Sequence, residues 1–187
     1  DWVWLKTRST NYQHSLYDSV RGAQYRLASD VTTAEVDNSS ANLQSFDSDG
    51  FTLGTLINDN QNSTTYVGWS WKAGTTFSGT TNGSKAYSGS SNADAGFSII
   101  KYVGNETAGH QIPHNLDSAP EMVIAKSRGH ADQWPVYHIG VASDAETDFL
   151  KLNDTSAASD AATVWNDTAP SATVVTLGST DDHNKNN

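Results

Sequence analysis

The chain has 187 residues, enough for one or two domains with a core that needs no covalent staple. It contains no cysteine, which excludes disulfides and thiolate metal sites. Its net charge of −10 argues against a nucleic-acid groove, which needs a basic stripe, and against attraction to an anionic membrane.

Read in chain order, the sequence predicts short strands between polar turns. Trp2–Thr7, His14–Asp18 and Gln24–Ala28 are the first three. Residues 29–34 read as a capped helical turn with Asp30 as N-cap, and the similar run 153–158 reads the same way. Asp47-Ser48-Asp49-Gly50 is a turn leading into the strand Phe51–Leu53, and residues 57–63 are a polar loop tip. Thr64–Trp71 alternates as a strand, and the shared face of Trp69 and Trp71 suggests a core ridge together with Trp4. Residues 73–95 are dominated by Gly, Ser and Thr and read as a linker or surface loop, although Phe77 and Tyr87 suggest that it lies against a domain. Strands follow at Phe97–Val103, Ala108–Pro113, Met122–Ser127, Gln133–His138, Thr147–Leu152 and Thr173–Leu177. No apolar run approaches transmembrane length.

One pattern occurs twice. Residues 2–8 read against 122–128, and Tyr17 reads against Tyr137, 120 residues on. After a short length change the offset becomes 124, with Tyr25 on Phe149, Asp30 on Asp154 and Thr52-Leu53-Gly54 on Thr176-Leu177-Gly178. That period is the size of a small domain, not of a solenoid repeat. The counterpart of the Thr64–Trp71 strand would begin near 188, and the counterpart of residues 96–102 would precede residue 1. The expectation is therefore a first repeat ending at 1–72, a join at 73–95 and a second repeat opening at 96–187. Two explanations stay open: a fragment of a longer polypeptide, or strands completed by a neighbour in cis or in trans. Strand 96–102 fits either unit.

Candidate chemistry is sparse. His110 and His114 flank Ile112-Pro113, and a strand context makes turn or surface histidines the simpler reading than a metal pair. Oxygen-rich loops offer weak Ca²⁺ candidates at Asp47 and Asp49, at Asn58 and Asp59, and at Asp181 and Asp182, against the simpler reading of solvated loop tips. No other cofactor is expected. Trp134 and Trp165 border turns and are the candidate sugar-stacking residues, the alternative being rings that seal a sandwich edge. Glu106, Glu121, Glu146 and Asp148 sit in no recognisable acid-pair motif, and no phosphate-loop, dinucleotide or serine-nucleophile fingerprint occurs. Catalysis is not expected.

Several segments together carry a resemblance: residues 18–23, 46–54, 66–74, 96–102, 112–116, 119–128 and 165–170. In that order they resemble a repeat domain of phage structural proteins found largely in viruses of marine bacteria, including cyanophages and pelagiphages. The resemblance spans nearly the whole chain. It implies large proteins with several such repeats beside tail-fibre-like or concanavalin-like domains, and it carries over no catalytic residue. The expected fold is all-β, with antiparallel β-sandwich domains of jelly-roll or concanavalin-like type, with strands kept within each repeat or shared between neighbours. The expected role is a structural component of a virion-surface or extracellular fibre. It would be a homo-oligomer whose repeated loops contact a host-surface glycan by avidity. No membrane insertion is expected. The alternatives are a carbohydrate-binding module of a secreted bacterial protein and a polysaccharide depolymerase.

Overall fold

The structure is a computed structural model that describes residues 1–186. Its first half runs β1 (Trp2–Thr7), β2 (Ser15–Asp18), β3 (Tyr25–Arg26), β4 (Val36–Asp37), β5 (Leu43–Phe46), β6 (Phe51–Leu53), α1 (Ile57–Asn60) and β7 (Tyr66–Trp71). The middle holds β8 (Thr75–Thr80), β9 (Ala86–Asn92) and β10 (Phe97–Tyr102). Then come β11 (His110–Pro113), β12 (Met122–Ile124), β13 (Pro135–His138), β14 (Asp148–Lys151), β15 (Ser159–Asp160), α2 (Ala162–Trp165), β16 (Val174–Leu177) and α3 (Asp181–Asn184). The fold is all-β with a few single-turn helices, and the described strand pairs are antiparallel. Among the described residues no helix is long and apolar enough to cross a membrane.

The two copies share their hydrogen-bonding frame. In the first, Trp2 faces Asp18, Val3 faces Tyr17 and Trp4 faces Leu16. In the second, Met122 faces His138, Val123 faces Tyr137 and Ile124 faces Val136. The offset of 120 thus holds for all three pairs of the β12·β13 ladder. Side chains repeat as well. Lys6 Nζ donates to the carbonyls of Thr7 and Thr10, and Lys126 Nζ donates to those of Ser127 and His130. The Asn60 amide donates to Gly54 O at 2.8 Å, and the Asn184 amide donates to Gly178 O at 2.6 Å. The order of strands differs at one edge. β1 lies between β2 and β7, whereas β12 has β13 on one side and no strand on the other among the described residues.

Among the described residues three apolar clusters form the core. Val3, Leu5, Tyr17 and Leu43 fill the first copy. Ile112, Tyr137, Val164, Trp165, Val175 and Leu177 fill most of the second. The third joins them: Leu16 and Leu27 from one copy meet Trp134 from the other, with Trp2, Trp4 and Ile124 packed around them.

Four expectations are corrected. Residues 73–95 are not a linker or loop, because β8 and β9 form a hairpin that pairs onward with β10. The reason lies in the register: Phe77 faces Gly89, and Tyr87 faces Gly79. Each ring lies over a glycine that a Cβ would crowd, and the two rings sit 6.2 Å apart. Aromatics that cover cross-strand glycines let a Gly/Ser/Thr-rich segment hold a ladder. Strand 97–102 therefore belongs to the hairpin sheet. Secondly, no helical turn forms at 29–34 or 153–158. Asp30 instead accepts the His14 backbone N–H, and Asp154 accepts that of Ser156. Thirdly, the loop tip at 57–63 opens with the single turn α1, matched by α3 in the second copy. Fourthly, Trp69 and Trp71 are 44% and 40% exposed, and Trp4 is half-buried, so these residues are not a core ridge.

Gly54 and Gly178 hold equivalent places before α1 and α3. A Cβ at Gly54 would collide with the carbonyls of Ala41 and Asn42, and one at Gly178 with those of Ala162 and Thr163. Gly54→Ala and Gly178→Ala are each expected to lower stability by about 1–3 kcal/mol, the usual cost of overpacking. Urea unfolding of the two variants against Gly50→Ala, whose Cβ would meet open space, checks this.

Candidate binding groove and aromatic face

β1 explains how a tryptophan-rich face comes to be partly open. Val3, Leu5 and Thr7 alternate into the interior, which leaves Trp2, Trp4 and Lys6 on the opposite side. The register with β7 then sets Trp71 against Trp2 and Trp69 against Trp4. β7 is an edge strand, and Gly68 to Trp71 are all exposed. Trp2 and Trp71 have ring centroids 4.7 Å apart, and Phe97 of β10 stacks on Trp71 at 6.1 Å. Trp4 and Trp69 form an edge-on pair at 5.9 Å, and Trp4 Nε1 donates to His14 Nδ1 at 2.8 Å. The sequence did carry a signal for this face: Lys6 shares it, and a lysine head needs water.

Beside these rings runs a groove of about 1190 Å³. Trp2, Trp4 and Trp71 form one wall, the β10 residues 97–102 a second, and residues 121–128 a third. Its lining is mainly apolar, with Asp18, Arg21, Lys101 and Glu121 also bordering it. Burial lowers the pKa of Lys126 in the third wall, with Asp132 and Asp182 acting the other way.

The residues singled out from the sequence fall elsewhere. Trp134 and Trp165 are only 3% and 2% exposed, so neither offers a stacking face to solvent. Trp134 Nε1 donates to Val31 O at 3.0 Å and locks the copies together. Trp165 packs edge-on against Tyr137 and His183. Bordering a turn did not expose these rings, because Trp134 packs into the junction cluster with Leu16 and Leu27 and Trp165 into the second core. The calcium candidates are dispersed over separate roles. Asp47 accepts the hydroxyls of Ser45 and Thr52, while Asp49 is exposed and Asn58 half-buried. Asp59 is buried and accepts the Tyr17 hydroxyl at 2.6 Å. Asp181 pairs with Lys185, and Asp182 accepts the Gln133 N–H. Among the described residues no group of three or more His, Cys, Asp or Glu is placed to hold a metal. His110 and His114 are buried rather than on the surface. His110 bridges Asn184 and Thr81, while His114 Nδ1 accepts from Leu116 N and its Nε2 donates to Ser171 O.

A buried ionisable group recurs at one place in both copies. Asp59 and His183 are 124 residues apart in equivalent helical turns. Burial raises the Asp59 pKa, and burial together with Asp59 raises that of Tyr17. His183 Nε2 donates to Val164 O at 3.0 Å, and burial lowers its pKa to about 4. These groups serve packing, and the chemically open surface is the groove with its aromatic face.

The architecture is that of an all-β protein with several antiparallel sheets, in which the β1·β2 and β12·β13 ladders have matching register. Residues 1–187 match the model of a domain of unknown function, DUF7483, and the chain belongs to that family. No curated protein and no solved structure matches it.

Because the His183 pKa is depressed in the folded state, the unfolded chain takes up its proton first as pH falls. The stability due to neutral His183 is complete above about pH 6.5 and is lost as pH drops to about 4. The shift corresponds to about 3 kcal/mol. Asp59 works in the opposite sense, since its raised pKa favours the fold on protonation. Urea unfolding between pH 7 and pH 4 is therefore compared with His183→Gln, which is expected to lose distinctly less stability over that interval than the natural chain.

Proposed function

We propose that this chain is a structural repeat module of an extracellular or virion-surface fibre, presenting its outer face to a host surface. The observation that carries this is a ladder register and a set of structural polar contacts that recur in both copies, while the polar residues that were candidates for chemistry differ between them. The β1·β2 and β12·β13 ladders share their register. Asp47-Ser48-Asp49 has Ser171-Ala172-Thr173 at the equivalent place, and Asp59 has His183. A frame that repeats while its candidate chemical groups change suits a building element better than a shared reaction centre. The resemblance to repeat domains of marine phage structural proteins supports the same reading. We take the layers as a β-sandwich arrangement of jelly-roll or concanavalin-like kind, and the working state as a homo-oligomer. Sedimentation over a wide concentration range is expected to show reversible growth beyond the monomer. A chain that stays monomeric at the highest concentration would count against assembly.

The aromatic face favours a second reading, a carbohydrate-binding module. Exposed indoles offer flat apolar surfaces to the C–H faces of a sugar ring, and here Trp71 lines a groove with polar groups at its rim while Trp69 lies two residues away along the same strand. Glycan-array screening followed by calorimetry tests it. Trp69→Ala and Trp71→Ala are each expected to weaken binding roughly three- to tenfold, whereas a substitution at Trp134 would act through stability. Binding that ignores Trp69 and Trp71 would remove this face from consideration.

A further inference from the structure

The groove has two walls made of strand edges, not strand faces. Consecutive residues of both parities line it along β10 and again along β12, as happens when a backbone edge is turned towards the space. The hydrogen-bond phase identifies the free groups. Ile139 N donates to Glu121 O and Ala125 N to Pro135 O, so the odd residues bond to β13. The N–H and C=O groups of Met122 and Ile124 then point away from β13, and no backbone group among the described residues bonds them. On β10, Val103 N donates to Ala86 O, which turns Ser98 and Ile100 outward by the same alternation. The Ser98 hydroxyl is buried without a partner.

The first copy shows what such an edge takes. Met122 and Ile124 correspond to Trp2 and Trp4, whose outward groups are covered by β7, antiparallel, with Trp71 and Trp69 opposite. Arg8 N donates to Thr65 O in the same phase at 2.7 Å. We propose that the free edge of β12 is a strand-acceptor site for a β7-type strand of another copy of this repeat, laid antiparallel along Met122 and Ile124. The proposal rests on the assembly reading and gives it a chemical form: backbone pairing sets the affinity, and alternate side chains set the register. An unpaired edge beside an apolar groove is the kind of surface that accepts an added strand.

The test uses a synthetic peptide of Thr64–Lys72 added to the isotopically labelled full chain. Expected are amide shifts and slowed hydrogen exchange at Met122 and Ile124, with smaller shifts on β10. Two methylated peptides leave the protein untouched. Methylation of the backbone nitrogens of Val67 and Trp69, which pair with Lys6 and Trp4 in the first copy, is expected to weaken binding at least roughly tenfold. Methylation at Gly68 and Ser70, in the opposite phase, should leave most of it. Ile124→Pro should abolish binding in a chain whose remaining spectrum stays folded. Equal binding of both methylated peptides would overturn the proposal. So would shifts confined to β1, which would mean displacement of the chain's own β7, or a groove that takes oligosaccharides and ignores the peptide. Concentration-dependent sedimentation without peptide binding would leave assembly standing and remove this edge as its cause.

Discussion

Glu35 sits between two guanidinium groups, Arg21 at 2.8 Å and Arg128, and its own N–H donates to the Arg128 carbonyl. This contact fixes the bend that follows β12 to the loop that precedes β4. Trp134 reinforces it by reaching Val31 O, and the junction core of Leu16, Leu27 and Trp134 closes beneath. The Glu35 side chain is 9% exposed, so removing either arginine would leave a poorly solvated carboxylate short of a partner. Hydrogen bonding to Glu35 is also the leading cause that raises the Arg128 pKa. The groove exists because these contacts hold the β1 face near β12; separated copies would have two unrelated surfaces.

Much of the frame was legible in the sequence, because strand periodicity and internal duplication are local or self-referential signals. The offset of 120 reappears as a shared ladder register, and Trp2–Thr7 and Phe51–Leu53 have the expected limits. What was illegible depends on who faces whom. The β8–β9 hairpin looked like a linker because its stability comes from rings placed over glycines across the ladder, and no single segment shows that. The tryptophans were misassigned in both directions for the same reason. Trp69 and Trp71 alternate as a core strand would, yet they pair with the side of β1 that carries Lys6. Trp134 and Trp165 sit by turns, yet their rings are buried in the junction cluster and the second core. Ring size does not reveal burial when the apolar surface exceeds the space inside.

The two cores also show how one frame accepts different contents. Tyr17, Leu43 and Asp59 are grouped in the first copy as Tyr137, Trp165 and His183 are in the second. The tyrosine hydroxyl has a carboxylate partner in one, while in the other an indole fills the space and the histidine turns to a backbone carbonyl. Asp18, which is buried, and His138, which is exposed, illustrate the same tolerance at a turn. Each accepts the N–H of the second residue beyond it, one through a carboxylate oxygen and the other through an imidazole nitrogen. A turn needs an acceptor there and is indifferent to its chemical kind.

The change of offset from 120 to 124 falls within one connection, between His138 and Asp148, where the first copy has the shorter span from Asp18 to Tyr25. Both spans leave their strand through the same kind of capped turn, and the ladders on either side stay antiparallel. Extra length has been absorbed there without moving the β12·β13 frame. That connection is a natural graft point. Gly140 is exposed, so a peptide inserted after it would lengthen a connection whose span already differs between the two ladders while their register stays the same.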